Sequence, residues 1–123
     1  MDKPVGNYPE ICDSPKDACK RFIDKIIKTN REIFIMLSIL DQQMCGYDII
    51  KYIFLKFNVL LCQGTVYPIL YRLENDGLIY AEYSKGDMRA KKYSLTPQGR
   101  EIAEKDKNDF IEALEKISAF MGR

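Results

Sequence analysis

Residues 46–99 read GYDIIKYIFLKFNVLLCQGTVYPILYRLENDGLIYAEYSKGDMRAKKYSLTPQG, and this stretch decides the fold. Apolar side chains recur at helical spacing after Gly46 and again after Thr65, and Asn58 ends the first run. Segments 78–83 and 91–95 contain tyrosines and partly alternate, so they predict two strands joined by a polar loop. The order helix, turn, helix and hairpin predicts a winged helix-turn-helix.

The flanking segments add further helices. Ser14 followed by proline predicts a helix start, and the segment TNRE at 29–32 matches a capping box that opens a second helix. Thr96 followed by proline caps a last helix. The predicted fold class is therefore mainly α with a small β-hairpin (α+β). We expect an N-terminal arm and extra helix at 1–29, a winged helix domain at 30–96 and a C-terminal dimerisation helix at 97–123.

The helix after Thr65 is expected to be the recognition helix. Val66 and Leu73 belong to its apolar face. Proline is tolerated only in the first turn of a helix, so Pro68 places the start near residue 65. Gly77 is the expected stop. The sequence therefore predicts a helix at about 65–76.

Composition limits the classes of partner. The chain has 123 residues, 46% of them hydrophobic and 30% charged, with a net charge of +1. Nucleic-acid binding must therefore come from local clusters of charge. The N-terminus has no apolar core after its charges, and the longest apolar run, at 33–37, is too short to cross a bilayer. We expect a cytoplasmic protein without a membrane partner.

Catalysis and metal binding have little support. The chain has no histidine, no glycine-rich phosphate loop and no nucleophile motif, so we predict no enzyme, no catalytic residue and no cofactor. The four cysteines, at 12, 19, 45 and 62, form no C-x-x-C pair, and no metal is predicted. Buried or incidental thiols are favoured over a redox-sensing role, for which Cys12 and Cys19 are the nearest candidates.

The hairpin tip concentrates positive charge. Between residues 85 and 92, four cations stand against Asp87 alone, a local balance of +3. Flexible cations on a protruding turn can neutralise neighbouring phosphates. The alternative is a solvated tip whose lysines protect an edge strand. The predicted DNA-binding residues of the wing are Lys85, Arg89, Lys91 and Lys92.

The recognition helix offers side chains that suit base edges or phosphates. Glutamine can pair with adenine, arginine with guanine, and threonine with a thymine methyl group or a phosphate. The tyrosines could instead be core or dimer residues, and Arg72 could pair with Glu74 or Asp76. The predicted DNA-binding residues of this helix are Gln63, Thr65, Tyr67, Tyr71 and Arg72.

The last helix has an apolar stripe that lacks an evident partner in a small winged domain. A two-fold dimer would bury this stripe and present two recognition helices to two half-sites. The alternative is that the helix folds back on its own domain. The predicted dimerisation residues are Phe110, Leu114, Ile117 and Met121.

Three motifs together resemble the PadR-like transcriptional regulators. They are GYDII at 46–50, GTVYPIL with LENDGLI at 64–79, and KYSLTPQGR at 92–100. The resemblance covers about residues 33 to 105. It implies a dimeric repressor-type protein on an inverted repeat, with a ligand-responsive dimer in some members and one long C-terminal helix as the dimer contact. The chain differs in its N-terminal extension of some 30 residues and in having no tryptophan, against which some members stack flat aromatic ligands.

The sequence thus supports a DNA-binding transcriptional regulator, and two alternatives remain open. One is a winged-helix protein–protein adaptor without DNA binding, which the near-neutral net charge favours. The other is a thiol- or ligand-responsive sensor on the same fold, with a small-molecule effector of unknown identity.

Overall fold

The computed structural model describes residues 14–84 and 87–122. Five α-helices and two antiparallel strands lie within these ranges. This arrangement confirms the predicted fold class, mainly α with a small β-hairpin. The elements are α1 (Ser14–Thr29), α2 (Arg31–Ser38), α3 (Gly46–Phe57), α4 (Gln63–Asn75), β1 (Ile79–Ser84), β2 (Asp87–Leu95) and α5 (Pro97–Phe120).

The hydrophobic core lies between α2, α3, α4 and the base of the hairpin. The apolar face of α4 supplies Val66, Leu70 and Leu73, all essentially inaccessible to solvent. They belong to one cluster with Ile35 of α2 and Ile49 of α3. Burying such side chains contributes roughly 1.5–3 kcal/mol each, so this cluster fixes α4 against the helix before it.

The helix-turn-helix is formed by α3 and α4. Helix α3 ends at Asn58, whose φ of 59° is left-handed, as the sequence predicts for a polar helix stop. Val59 and Leu61 of the turn are buried, whereas Leu60 between them is exposed. The turn is therefore anchored into the core from both ends, and this fixes the angle at which α4 begins.

Two sequence predictions about helix starts are wrong. The capping box predicted at 29–32 does not form: the N-cap of α2 is Asn30, its side chain makes no capping bond, and its amide donates to the carbonyl of Ile26 in α1. Helix α4 begins at Gln63 rather than near 65, so Pro68 lies in the second turn. The proline removes one backbone hydrogen bond there. Pro68 itself is exposed, so its ring packs against no core residue.

The hairpin pairs β1 with β2 antiparallel, with Ile79 opposite Leu95 and Glu82 opposite Lys92, and the register shifts between Tyr83 and Ser84. The segment 41–45, predicted to be a polar break, also joins the hairpin through an isolated β-bridge. Buried Met44 exchanges two backbone hydrogen bonds with Tyr93, at 3.2 and 2.8 Å. This bridge attaches the base of the hairpin to the segment that precedes α3.

The junction between the hairpin and α5 explains the motif at 92–100. The Thr96 hydroxyl accepts from the Gly99 amide at 2.9 Å and donates to the Gly77 carbonyl at 2.7 Å. A Cβ atom on Gly99 would lie only 1.8 Å from the carbonyl oxygen of Leu78. Glycine is therefore required where the start of α5 passes the end of α4. The predicted cap at Thr96 is confirmed.

Helix α5 divides into two halves. Its first half packs on α2, and the Phe110 ring contacts Phe34 edge to face at 5.8 Å between centroids. From residue 111 to residue 122 every side chain is exposed. At about 1.5 Å per residue the whole helix is about 36 Å long, so its second half extends beyond the domain.

Candidate nucleic-acid interface

Helix α4 presents a polar face to solvent. Gln63 and Gly64 form an exposed first turn, and Tyr71 and Asn75 continue the exposed side towards the C-terminus. An exposed helix N-terminus, with its free N–H groups, is a favourable place for a phosphate. The predicted residue Gln63 is thus accessible at the end of the helix that a helix-turn-helix directs into a groove.

Tyr67 points inward rather than to this face. It is partly buried against the core, and its ring occupies the space that a Cβ on Gly46 would take, 2.5 Å from the ring atoms. Burial raises the pKa of Tyr67. Tyr67 therefore holds the first turn of α3 against α4. This is the core position that the sequence allowed as an alternative to DNA contact.

Tyr71 and Lys91, two predicted DNA-binding residues, are brought together. The Lys91 ammonium lies 3.7 Å from the Glu74 carboxylate and 5.6 Å from the centre of the Tyr71 ring. It also lies 5.4 Å from the ring centre of buried Tyr93. Burial alone would lower the pKa of Lys91, but Tyr93 and Glu74 outweigh it and hold that pKa above its usual value. Lys91 therefore remains a cation with protein partners.

Arg72 lies on another side of α4. Its guanidinium pairs with Glu32 of α2, and both side chains are about half exposed. Local spacing predicts an ion pair of Arg72 with Glu74 or Asp76, which are its neighbours in sequence. The actual partner is 40 residues away. An exposed pair of this kind contributes less than about 1 kcal/mol.

The other predicted wing residues differ in position. Lys92 is exposed on the opposite face of β2 from Lys91, across from Glu82, whose carboxylate accepts from Gln43 at 2.7 Å. No ion pair of Lys92 occurs in the ranges that the structure describes. Lys85 lies outside the described residues, and only the backbone of Arg89 is described, within β2.

Thr65 contacts a cysteine. The Cys62 sulfur, at the N-cap of α4, lies 3.3 Å from the Thr65 hydroxyl. The hydrogen bond from the Thr65 side chain, with backbone N–H groups of the same turn, lowers the pKa of the exposed Cys62 thiol. Cys19 and Cys45 are also free thiols, and Cys12 lies outside the described residues.

Three of the four predicted dimerisation residues form an exposed apolar stripe. Leu114 and Ile117 lie on the projecting half of α5, and Met121, the C-cap residue four positions after Ile117, is 72% exposed. Phe120 beside them is 89% exposed. Phe110 differs, because its ring packs on Phe34 of the same domain. The spacing is that of a helix–helix seam.

A family model described as the transcriptional regulator PadR-like family matches residues 36–105. This match covers more than half of the chain. The chain belongs to the PadR-like family of transcriptional regulators. The resemblance seen in the sequence motifs is thereby confirmed, and the family is one of regulators rather than enzymes.

Individual relatives of this PadR-like chain agree with the family. The transcriptional regulator Rv3488 of Mycobacterium tuberculosis is 43% identical over 56 residues, which is 45% of this chain and 49% of that relative. A PadR family regulator from Clostridium difficile is 28% identical with a TM-score of 0.62, over 74% of this chain and 98% of that one. A PadR-like regulator from Bacillus cereus, 21% identical, shares the fold with a TM-score of 0.70, over 80% of this chain and 98% of that one.

A groove of about 490 Å³ lies in this PadR-like protein between the N-terminus of α2 and the middle of α5. Apolar Ile33, Met36 and Phe110 and acidic Asp106 and Asp109 are among the residues that line it. Within the described ranges, no group of three or more acidic or cysteine side chains is arranged to hold a metal ion. No helix in the same ranges is long and apolar enough to cross a membrane.

Proposed function

We propose that this PadR-like regulator acts as a DNA-binding dimer, with α4 in the major groove and the β1–β2 wing beside the backbone. The observation that supports this most is the exposed polar face of α4 at Gln63, Gly64 and Tyr71, held on a core-anchored helix-turn-helix. Repression is the mode of regulation that the family resemblance implies, because a dimer bound at a promoter blocks access to it.

The dimer is proposed from the exposed stripe of α5. Leu114, Ile117 and Met121 are 40%, 51% and 72% exposed at the C-terminal end of α5. A symmetric pair of such helices would bury the stripe in both copies. It would also present two α4 helices to the two half-sites of an inverted repeat.

A protein–protein adaptor remains the second candidate function, and a specific observation favours it. Several cations near the proposed interface already have acidic neighbours: Arg72 pairs with Glu32, Lys91 pairs with Glu74, and Lys92 lies opposite Glu82. The described surface therefore offers fewer free cations than the sequence suggests. A small-molecule effector and a cytoplasmic location stay predictions.

Genomic footprinting of the full-length chain tests the proposal. We expect bound segments to share an inverted repeat, because the proposed protein dimer has the same two-fold symmetry. The Ile117→Glu variant, which places a charge in the dimer stripe, should lose these footprints. If footprinting finds no enriched inverted repeat and affinity purification of the chain recovers partner proteins, the adaptor is favoured.

A further inference from the structure

Two pairs of side chains face each other between the recognition helix and the wing. Tyr71 and Glu74 are three residues apart on α4, so they lie on one side of that helix. Lys91 and Tyr93 are two residues apart on β2, so they lie on one face of that strand. An aromatic ring and an acid on the helix thus meet a cation and an aromatic ring on the strand.

The Lys91 ammonium is the centre of this contact. It lies 3.7 Å from Glu74, and ring centroids of Tyr71 and Tyr93 lie 5.6 and 5.4 Å away. The Lys91 side chain is 29% exposed, and Glu74 is 36% exposed. Partial burial and two aromatic faces strengthen such a contact beyond that of a fully solvated ion pair.

The position of this contact on the hairpin matters. The base of the hairpin is already fixed by the Met44–Tyr93 backbone bridge and by the Thr96 junction. Among the ion pairs in the described ranges, Lys91–Glu74 is the one that joins the wing to α4 and the one nearest the wing tip. It therefore fixes the distance between the distal part of the wing and the helix.

We infer that Lys91 is a positioning residue, which holds the wing against the recognition helix through Glu74, rather than a ligand of DNA phosphate. This inference rests on the proposed DNA-binding function. A Lys91 ammonium that moved to a phosphate would leave the Glu74 carboxylate facing an anionic backbone. The two roles therefore predict opposite effects for removal of the Glu74 charge.

The test is fluorescence anisotropy of one labelled operator duplex with the full chain across a series of salt concentrations. In the positioning role, Lys91→Met and Glu74→Gln each weaken binding about three- to tenfold. The slope of log affinity against log salt stays unchanged, because no phosphate contact is lost. Lys91→Arg keeps the charge and should stay within about twofold of the wild type.

A tighter complex for Glu74→Gln would overturn the inference, because it would mean that Glu74 only competes with phosphate for Lys91. A salt slope that falls by about 0.9 in Lys91→Met would also overturn it, since that is the signature of one lost phosphate contact. Glutamine is nearly isosteric with glutamate, and the Glu74 side chain is partly exposed. Glu74→Gln therefore still tests the inference if Lys91→Met folds poorly.

Hydrogen exchange of the DNA-free protein separates this inference from the proposed function. Lys91→Met should speed amide exchange in β1 and β2 without changing exchange in the buried turns of α3. Lys92→Met is the matched control on the opposite face of the same strand, and it should leave hairpin exchange unchanged. Equal exchange in both variants and the wild type would refute the positioning role. Failure of the wild type to bind DNA would refute only the proposed function.

Discussion

At the scale of single residues, the two glycines with the closest neighbours explain parts of the family motifs. A Cβ on Gly99 would overlap the Leu78 backbone carbonyl, whereas a Cβ on Gly46 would meet the movable end of the Tyr67 ring. A backbone atom held by the Thr96 junction cannot shift as a side chain can. Gly99 is therefore the less tolerant of the two positions.

We expect Gly99→Ala to lower the free energy of unfolding by at least about 3 kcal/mol, because it forces the start of α5 away from Leu78. The measurement is urea denaturation followed by circular dichroism. Gly64→Ala is the matched control, since nothing lies within 4 Å of its Cβ position. That control should change stability by less than about 1 kcal/mol. Equal stability of the two variants would contradict the close approach of Gly99 to the Leu78 carbonyl.

The thiol at the start of α4 gives a pH-dependent prediction. The Thr65 hydroxyl hydrogen-bonds the Cys62 sulfur, and this contact lowers the pKa of the thiol by favouring its thiolate. Because the thiolate is the reactive form, wild-type Cys62 should be alkylated at a lower pH than Cys62 in Thr65→Val. Peptide mass spectrometry after iodoacetamide treatment measures both profiles, with exposed Cys19 as an internal monitor of the reagent. Superimposable profiles would show that Thr65 has no influence.

At the scale of elements, the sequence predicted most of the helices and both strands, because hydrophobic periodicity and caps are local signals. The stop of α3 at Asn58 and the cap of α5 at Thr96 are examples. The predicted start of α4, near residue 65, is two residues too late. The prediction requires Pro68 to lie in the first turn, whereas it lies in the second, a position that a rule based on the local sequence alone excludes.

Contacts between elements were not predictable in the same way. The partners of Arg72 and Lys91 are on α2 and α4, and nothing in local spacing selects Glu32 or Glu74 from the other acids. The Met44 bridge was missed because a single residue has no periodicity. The sequence therefore predicts the residues of the candidate interface only from their side-chain chemistry. Where each side chain points, as with the inward Tyr67, is visible only in the three-dimensional structure.

At the scale of the whole molecule, the projecting half of α5 makes a testable prediction about assembly. Ile117→Glu places a charge in the middle of the apolar stripe and should convert a dimer into a monomer, as measured by light scattering coupled to gel filtration. Ala119→Glu adds the same charge on the opposite side of the helix and should leave the dimer intact. A monomeric wild type, or equal behaviour of the two variants, would mean that the stripe has another use.

The central claim is that two copies of α4 bind a specific DNA sequence. The most direct measurement is an equilibrium titration of the wild-type chain with an operator duplex from footprinting and with a scrambled duplex of equal length, at several salt concentrations. A sequence-specific dimer should bind the operator more tightly than the scrambled duplex by about a thousandfold or more. The log affinities for both duplexes should fall linearly with log salt. Equal affinity for the two duplexes, or no binding to either, would contradict the central claim.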